Sequence, residues 1–440
     1  MRIVIDGMNL ALEQGTGVAT YARNLAAGIG RMGHELSVLY GKRVPDRGAD
    51  LLREAMFVDN DPVPKFRTDR ALELARSLGR VWHPARPTPV RETGHVLRKA
   101  QRLSLPNADA YWNSRNLFHV AAVHFTLTGR FLEVVPPKPV DIAHWTYPMA
   151  LRMRGAKNVY TLHDLVPLKL PYATLDRKTR YWRLVSEIAR SADHILTVSE
   201  CSRRDILAML PVGEDRVTNT YQSVEIPRIL LAKDWRDIDI ELANAFHAPL
   251  GEAAFEAPGT PDRLIRDGFY LFVGAIEPKK NLRRLIEAYL ASGVPEPLVV
   301  VGRKAWQYED VVAMMTRSPR IIYLDYLPFA QMITLMRAAR ALVFPSLYEG
   351  FGLPVLEAFL CGTPVITADA SSTGEIAGGA ALLVDPYDTR AIRDAIRHLS
   401  ADESGVERRR LAEAGCRQAQ RFEPAAIARC YDDGYRAIAG

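Results

Sequence analysis

A chain of 440 residues, 48% of them hydrophobic, is too long for one ordinary core and long enough for two domains. Its 57 basic and 51 acidic residues leave a formal charge of +6, which suits anionic ligands or an anionic membrane face and does not call for nucleic acid. Four scattered cysteines without a CxxC pair argue against a disulfide framework and a cysteine zinc site. With no signal-peptide pattern and no run approaching about 18 apolar residues, the sequence predicts a cytoplasmic protein that does not span a membrane.

RIVID, at the start, is apolar and β-branched and predicts a strand. A loop ending in Gly15 and Gly17 follows, and then Val18, Ala22, Leu25, Ile29 and Met32 recur at helical spacing. Gly33 stops that helix before the strand ELSVLY, which completes a βαβ unit opening a parallel sheet. Residues 41–138 read as an insertion. Between 41 and 105 it carries 14 basic against 8 acidic side chains, a surplus equal to that of the whole chain. A solvated surface is the plain reading of most of these charges; peripheral contact with an anionic membrane is the functional one. Short apolar runs at VDIAHW, NVYTLHD, HILTVS and RVTNTY continue the first sheet. DWRDIDIE and FEAPGTPDR make 226–268 a linker and insertion.

The same grammar restarts at FYLFVG, followed by the loop EPKKN and a helix with Leu282, Leu285, Ile286, Tyr289 and Leu290 on one face. LVVVG, RIIYLDY, ALVFPS, PVITAD and ALLVDP are short and apolar on both faces, as buried parallel strands are. The expected division is 1–225, 226–420 and a terminal helix over 421–440.

The most informative stretch is FPSLYEGFGLPVLEAFLCGTP, Phe344 to Pro364. Gly350 and Gly352 turn the chain, and Pro354 at the first helical position would leave Glu349 in a loop and Glu357 in the first helical turn. Exposed amides there favour an anion, and the two carboxylates can accept hydrogen bonds from hydroxyls of two sugar rings. Singly, either is a surface acid or a helix-dipole partner; the Gly-rich turn favours the paired reading. In EPKKN, two lysines precede a helix with Asn281 as its cap, which makes a diphosphate clamp. Lys280 is expected to be the ligand and Lys279 its solvent-exposed neighbour. Gly15-Thr16-Gly17 lets backbone approach phosphate, and Thr20 in place of the last glycine of GxGxxG disfavours a nicotinamide oxidoreductase. His144 and His163 stand at strand ends, where ligands collect, although a histidine there is as often structural. Ser199 and Ser202 read as a helix cap. Asp237-Ile238-Asp239 spells a DxD, but no apolar strand leads into it, so no metal site is expected.

EGFGLPVLEAFLCGTPVI, continued by SSTGEIAGGAALLVDPYD, resembles the E-x7-E signature of family 4 of the retaining glycosyltransferases. The resemblance covers roughly 1–40 and 140–440. It implies an α/β GT-B fold, two Rossmann-like lobes whose parallel sheets face a central cleft. It implies that Glu349 contacts the transferred sugar, that Glu357 binds the nucleotide ribose, and that amides of Phe351, Gly352 and Leu353 reach sugar and phosphate. Gly274 and Lys280 match a Gly-Arg-x-x-Pro-x-Lys pattern, with Ala275 where many members carry arginine. By the same resemblance Gly15 and Gly17 face the donor diphosphate, His163 a donor-sugar hydroxyl, His144 and Asp164 the acceptor, and Leu324 and Tyr326 the nucleobase.

The implied reaction is a metal-independent, retaining transfer with His163, Lys280 and Glu349 as catalytic residues. The nucleotide sugar is a substrate, and no cofactor is expected. EQGTGVATYARNL, TLHDL and VGAIEPKKNL look most like bacterial polysaccharide mannosyltransferases. That points to GDP-mannose and a saccharide or lipid-linked oligosaccharide acceptor, handled at the inner face of the membrane for surface polysaccharide biosynthesis. Another nucleotide sugar, a phosphorylase-like enzyme, a nucleotide-sugar epimerase, or a non-catalytic scaffold that binds nucleotide sugar are the alternatives.

Overall fold

The computed structural model describes residues 1–10, 17–59, 79, 81–96, 105–245 and 264–440. In the first half the short apolar runs form β1 (Arg2–Asp6), β2 (Glu35–Tyr40), β3 (Thr88–Val90), β4 (Ala110–Asn113), β5 (Leu132–Val134), β6 (Ile142–Trp145), β7 (Leu151–Met153), β8 (Lys157–Thr161), β9 (His194–Thr197) and β10 (Val217–Asn219). Eight of these make one sheet in the order β10-β9-β8-β6-β1-β2-β4-β3, and β5 pairs with β7 apart from it. Within the eight, only β3 with β4 is antiparallel. The chain leaves β1 toward β2 and later returns to β6 on its other side. The carboxyl ends of β1 and β6 therefore flank a topological switch point, where open α/β sheets leave a crevice.

The stretch 41–138 is not merely inserted: β3 and β4 extend the main sheet past β2. The Asn113 side chain fixes that edge by accepting from the Lys42 N–H at 2.8 Å and donating to the Lys42 carbonyl at 3.1 Å.

The second sheet contains β11 (Tyr270–Val273), β12 (Leu298–Val301), β13 (Ile321–Leu324), β14 (Ala341–Phe344), β15 (Val365–Ala368) and β16 (Leu382–Val384), in the order β13-β12-β11-β14-β15-β16. All its pairings are parallel, and β12, β14 and β15 are buried along their whole length. Each sheet with its helices forms a lobe. The described part of 226–268 is not an open linker, because helix Trp235–Ala245 packs on helix Phe329–Ala338. Ile238 and Leu242, one turn apart, are its buried stripe, and Arg337 donates to the carbonyls of Leu230 and Lys233.

The final helix, Pro424–Ala439, crosses back to the first lobe and lies along helix Gly17–Arg31. Small residues allow the close approach: a Cβ on Gly28 would stand 4.0 Å from that of Ala428. The Tyr431 hydroxyl donates to that of Tyr21 at 2.9 Å, and His34 Nε2 lies 2.8 Å from Asp432. Among the described residues, no helix is long and apolar enough to cross a membrane.

Candidate active site

β14 runs into the loop that carries Glu349 and then into helix Leu353–Leu360. Gly352 sets the start of that helix with φ +108°, a conformation that L side chains rarely adopt. The helix consequently starts at Leu353, Pro354 takes its second position, and Glu357 lies in the second turn rather than the first. The Glu349 N–H donates to Ser371 Oγ at 3.0 Å, and Ser372 Oγ lies 2.8 Å from the carbonyl oxygens of both Glu349 and Phe351. Two serine hydroxyls thus set the shape of the turn. The N–H groups of Phe351, Gly352 and Leu353 meet no acceptor among the described residues. The Phe351 side chain is buried edge-on against Phe422, so it is the backbone of that residue, not its ring, that a ligand could meet.

Lys280 Nζ stands 2.7 Å from Glu349 Oε1, and both side chains are largely buried. Burial works against a charged Glu349, but Lys280 and Lys279 outweigh it and hold the carboxyl below its ordinary range. Lys279 is not the solvent-exposed neighbour that the sequence predicts. Pro278–Lys280 forms one tight helical turn that brings both lysines inward, and Lys279 Nζ is half-buried 3.5 Å from Glu277 Oε1. Burial disfavours its charge, yet the carboxylates of Glu349, Glu277 and Asp164 raise its pKa.

Asn281 sits at the N-cap of helix Leu282–Ser292 but makes no capping bond. Its amide instead donates to the carbonyls of Pro345 and Pro386 at 3.0 and 2.7 Å, tying the lysine turn to the loop that carries Glu349. Gly274, just past β11, has φ +155°, a conformation that L side chains rarely adopt, and it lies beside the Lys280 stem, 3.6 Å from Cε at the position of a Cβ. The Glu357 carboxyl has no hydrogen-bond or ion-pair partner among the described residues, and burial raises it to about 7.

The first lobe meets this turn closely. Gly15 lies outside the described residues. Gly17 opens its helix so near the second lobe that a Cβ on it would be 3.3 Å from Leu353 Cδ1. A Cβ on Gly350 would come within 2.7 Å of the His163 carbonyl oxygen and 3.0 Å of Asp164 Oδ2, so only glycine permits this approach. His163 Nε2 lies 2.9 Å from the Thr146 carbonyl. A carbonyl only accepts, so Nε2 carries the proton and Nδ1 remains an acceptor. Burial lowers the pKa of this ring and keeps it neutral. Asp164 Oδ1 accepts from the Val166 N–H at 3.0 Å, which leaves Oδ2 toward Gly350.

Two expectations are corrected. His144 cannot reach an acceptor: it is wholly buried, with Tyr435 Oη 2.5 Å from Nδ1 and Thr161 Oγ1 2.7 Å from Nε2. The final helix covers it, and burial pushes its pKa down to about 3. Leu324 is a core residue of β13, 2% exposed, with its carbonyl accepting from Gly302 at 3.1 Å, whereas Tyr326 beyond it is exposed. The DxD lies on helix Trp235–Ala245, where residues two apart do not face each other, and Asp239 pairs with Arg266 at 2.9 Å. Ser199 does cap its helix, accepting from the Ser202 N–H at 3.0 Å. Sequence reasoning named no role for Tyr348, Ser371, Ser372 or Glu375. The positive φ of Ser371, 51°, has no local marker in the string SSTGE.

The family model described as Glycosyl transferases group 1 matches residues 264–418, and that described as Glycosyl transferase 4-like domain matches 16–220. The chain is 33% identical over 278 residues to O-antigen chain mannosyltransferase B of Escherichia coli, across 61% of this chain and 67% of that protein. It is 29% identical over 297 residues to the serotype-specific mannosyltransferase WbdA of the same species, across 63% of this chain but only 33% of that longer protein. Among solved structures, Anabaena Alr3699/HepE in complex with UDP and glucose matches with a TM-score of 0.60 at 16% identity, covering 99% of this chain and 100% of that one.

Proposed function

Because this chain belongs to the group 1 glycosyltransferases and has their GT-B fold, we propose that it is a retaining, metal-independent hexosyltransferase using GDP-mannose. The acceptor is a saccharide or lipid-linked oligosaccharide of surface polysaccharide biosynthesis. The convergence of Glu349, Lys280 and the unpaired amides of Phe351, Gly352 and Leu353 on one turn carries the transfer reading. The mannosyltransferase relatives support the sugar.

In this mechanism Lys280 and the amides stabilise charge on the departing diphosphate, preorganised where water would otherwise have to reorient. Lys279 is the second cation, in the role that Ala275 cannot fill. Glu349 and the free Nδ1 of His163 accept hydrogen bonds from sugar hydroxyls and fix the anomeric carbon for attack. Glu357 accepts from the ribose hydroxyls. The departing phosphate oxygen takes the acceptor's proton on the same face of the sugar, so no protein base is required.

We also propose that residues 41–105 touch an anionic membrane. Helix Asp50–Val58 turns Arg53 and Glu54 inward and leaves Leu51, Leu52 and Met56 exposed, although most of the segment's basic residues lie outside the described residues. Flotation with neutral and anionic liposomes tests this, and equal, salt-insensitive recovery rejects it.

The function is tested by incubating the protein with GDP-mannose, UDP-glucose or dTDP-rhamnose, with and without mannoside acceptors. Acceptor-dependent release of GDP, an α-linked product by NMR and activity that survives EDTA are expected. Release from another donor reassigns the nucleotide sugar. A β-linked product rejects retention, and silence with every donor supports a scaffold.

A further inference from the structure

Helix Glu200–Met209 belongs to the first lobe yet holds two side chains of the second. The N–H groups of Glu200 and Cys201, in its first turn, donate to Oε1 and Oε2 of Glu375 at 2.9 Å each. One turn further, Asp205 accepts from the Tyr348 hydroxyl, while its other oxygen lies 2.6 Å from Lys169 Nζ. Between these two contacts, Ser202 Oγ is 2.8 Å from the His163 carbonyl and 3.3 Å from that of Gly350. A carboxylate held on two helix-start amides is a strong contact, since it meets unpaired donors at the positive end of the helix dipole.

The two captured residues are informative because of their neighbours. Tyr348 precedes Glu349 directly. Glu375 shares helix Ser371–Ala377 with Ser371 and Ser372, whose hydroxyls fix the backbone of Glu349 and Phe351. The 200–209 helix therefore grips the Glu349 turn from both sides, and only while the lobes are together. When they part, water replaces these hydrogen bonds at small net cost, which makes the grip reversible.

We propose that helix 200–209 couples lobe closure to the orientation of Glu349, with Glu375 and Tyr348 as positioning residues. The inference rests on the reading of Glu349 as a sugar-binding residue. It adds that the first lobe braces the sugar-binding turn and its serine helix only in the closed molecule, so that opening releases the product and loosens the turn.

The experiment compares the full-length protein with Glu375→Gln, Glu375→Asp and Tyr348→Phe. Glutamine keeps the size but presents an NH2 to one of the two amides, whereas aspartate keeps the carboxylate. For Glu375→Gln, turnover of GDP-mannose should fall about tenfold or more while its KM stays within about threefold and GDP affinity is kept. Its melting temperature should match the wild type, and Glu375→Asp should recover part of the turnover. Solution X-ray scattering of the ligand-free variant should give a larger radius of gyration.

Wild-type turnover and scattering in both Glu375→Gln and Tyr348→Phe would overturn the proposal. So would a lower melting temperature with turnover intact, which marks a packing role. If the wild-type protein turns over no nucleotide sugar, the functional reading fails instead, and the scattering comparison still decides whether Glu375 closes the lobes.

Discussion

Glu357 carries a proton problem that the proposed donor binding would resolve. Its ordinary value of 4.5 rises to about 7 in the folded protein because burial disfavours the charged form. Between those values the folded state holds more protons than the unfolded one. The stability from the neutral carboxyl is fully present below the unfolded value and is lost as pH rises through the folded one. Glu357→Gln should therefore flatten the fall in melting temperature between about pH 5 and 8. On the proposed ribose contact the hydroxyls would favour the carboxylate, so GDP should bind more tightly as pH rises through this range and release a proton. Calorimetry in buffers of different ionisation enthalpy measures that release, and what persists in Glu357→Gln belongs to the phosphate. The lysines make a second pair. Lys280→Ala should lower kcat by on the order of 10²-fold, and Lys279→Ala should lower it by at least about tenfold. Steady-state rates decide, and a fully active Lys279→Ala would make it a spectator.

Among the elements, the final helix shows what makes a histidine structural. Tyr435→Phe leaves His144 Nδ1 buried without its partner, which should cost about 1–3 kcal/mol in chemical denaturation. Turnover and acceptor KM at 25 °C should be unchanged; a raised KM would return His144 to the acceptor site. Much of this architecture could be read directly. The strand, helix and strand of the opening unit and the apolar runs of the second sheet show their periods within a few residues. Others could not. β3 has three residues with Pro89 inside it, too few to display alternation. The helix at 235–245 hides Ile238 and Leu242 among charges that read as linker. Helix Leu353–Leu360 begins where a glycine backbone dictates, one position earlier than Pro354 alone implies.

In the whole molecule, the site divides along the same line. Glu349, Glu357, Lys280 and their glycines lie in local strings, so spacing alone singled them out as candidates. Glu375 meets the Cys201 amide across 174 residues and Tyr348 meets Asp205 across 143, and no short-range pattern marks such pairs. The return of the 424–439 helix to the first lobe has a consequence for biosynthesis. His144 and Tyr435 are 291 residues apart. A ribosome adding about 5–20 residues per second needs roughly 15–60 seconds to travel that distance. Throughout that interval the nascent first lobe exposes the surface of Tyr21, His144 and the 17–31 helix that the last helix will cover. The chain is thus most open to capture by chaperones or proteases when most of it has already been made. A ribosome-stalled product ending before residue 424 should be cleaved by added protease within the 17–31 helix, and one extended past 440 by a linker long enough to clear the exit tunnel should resist; equal cleavage of both would show that the first lobe does not wait for its last helix.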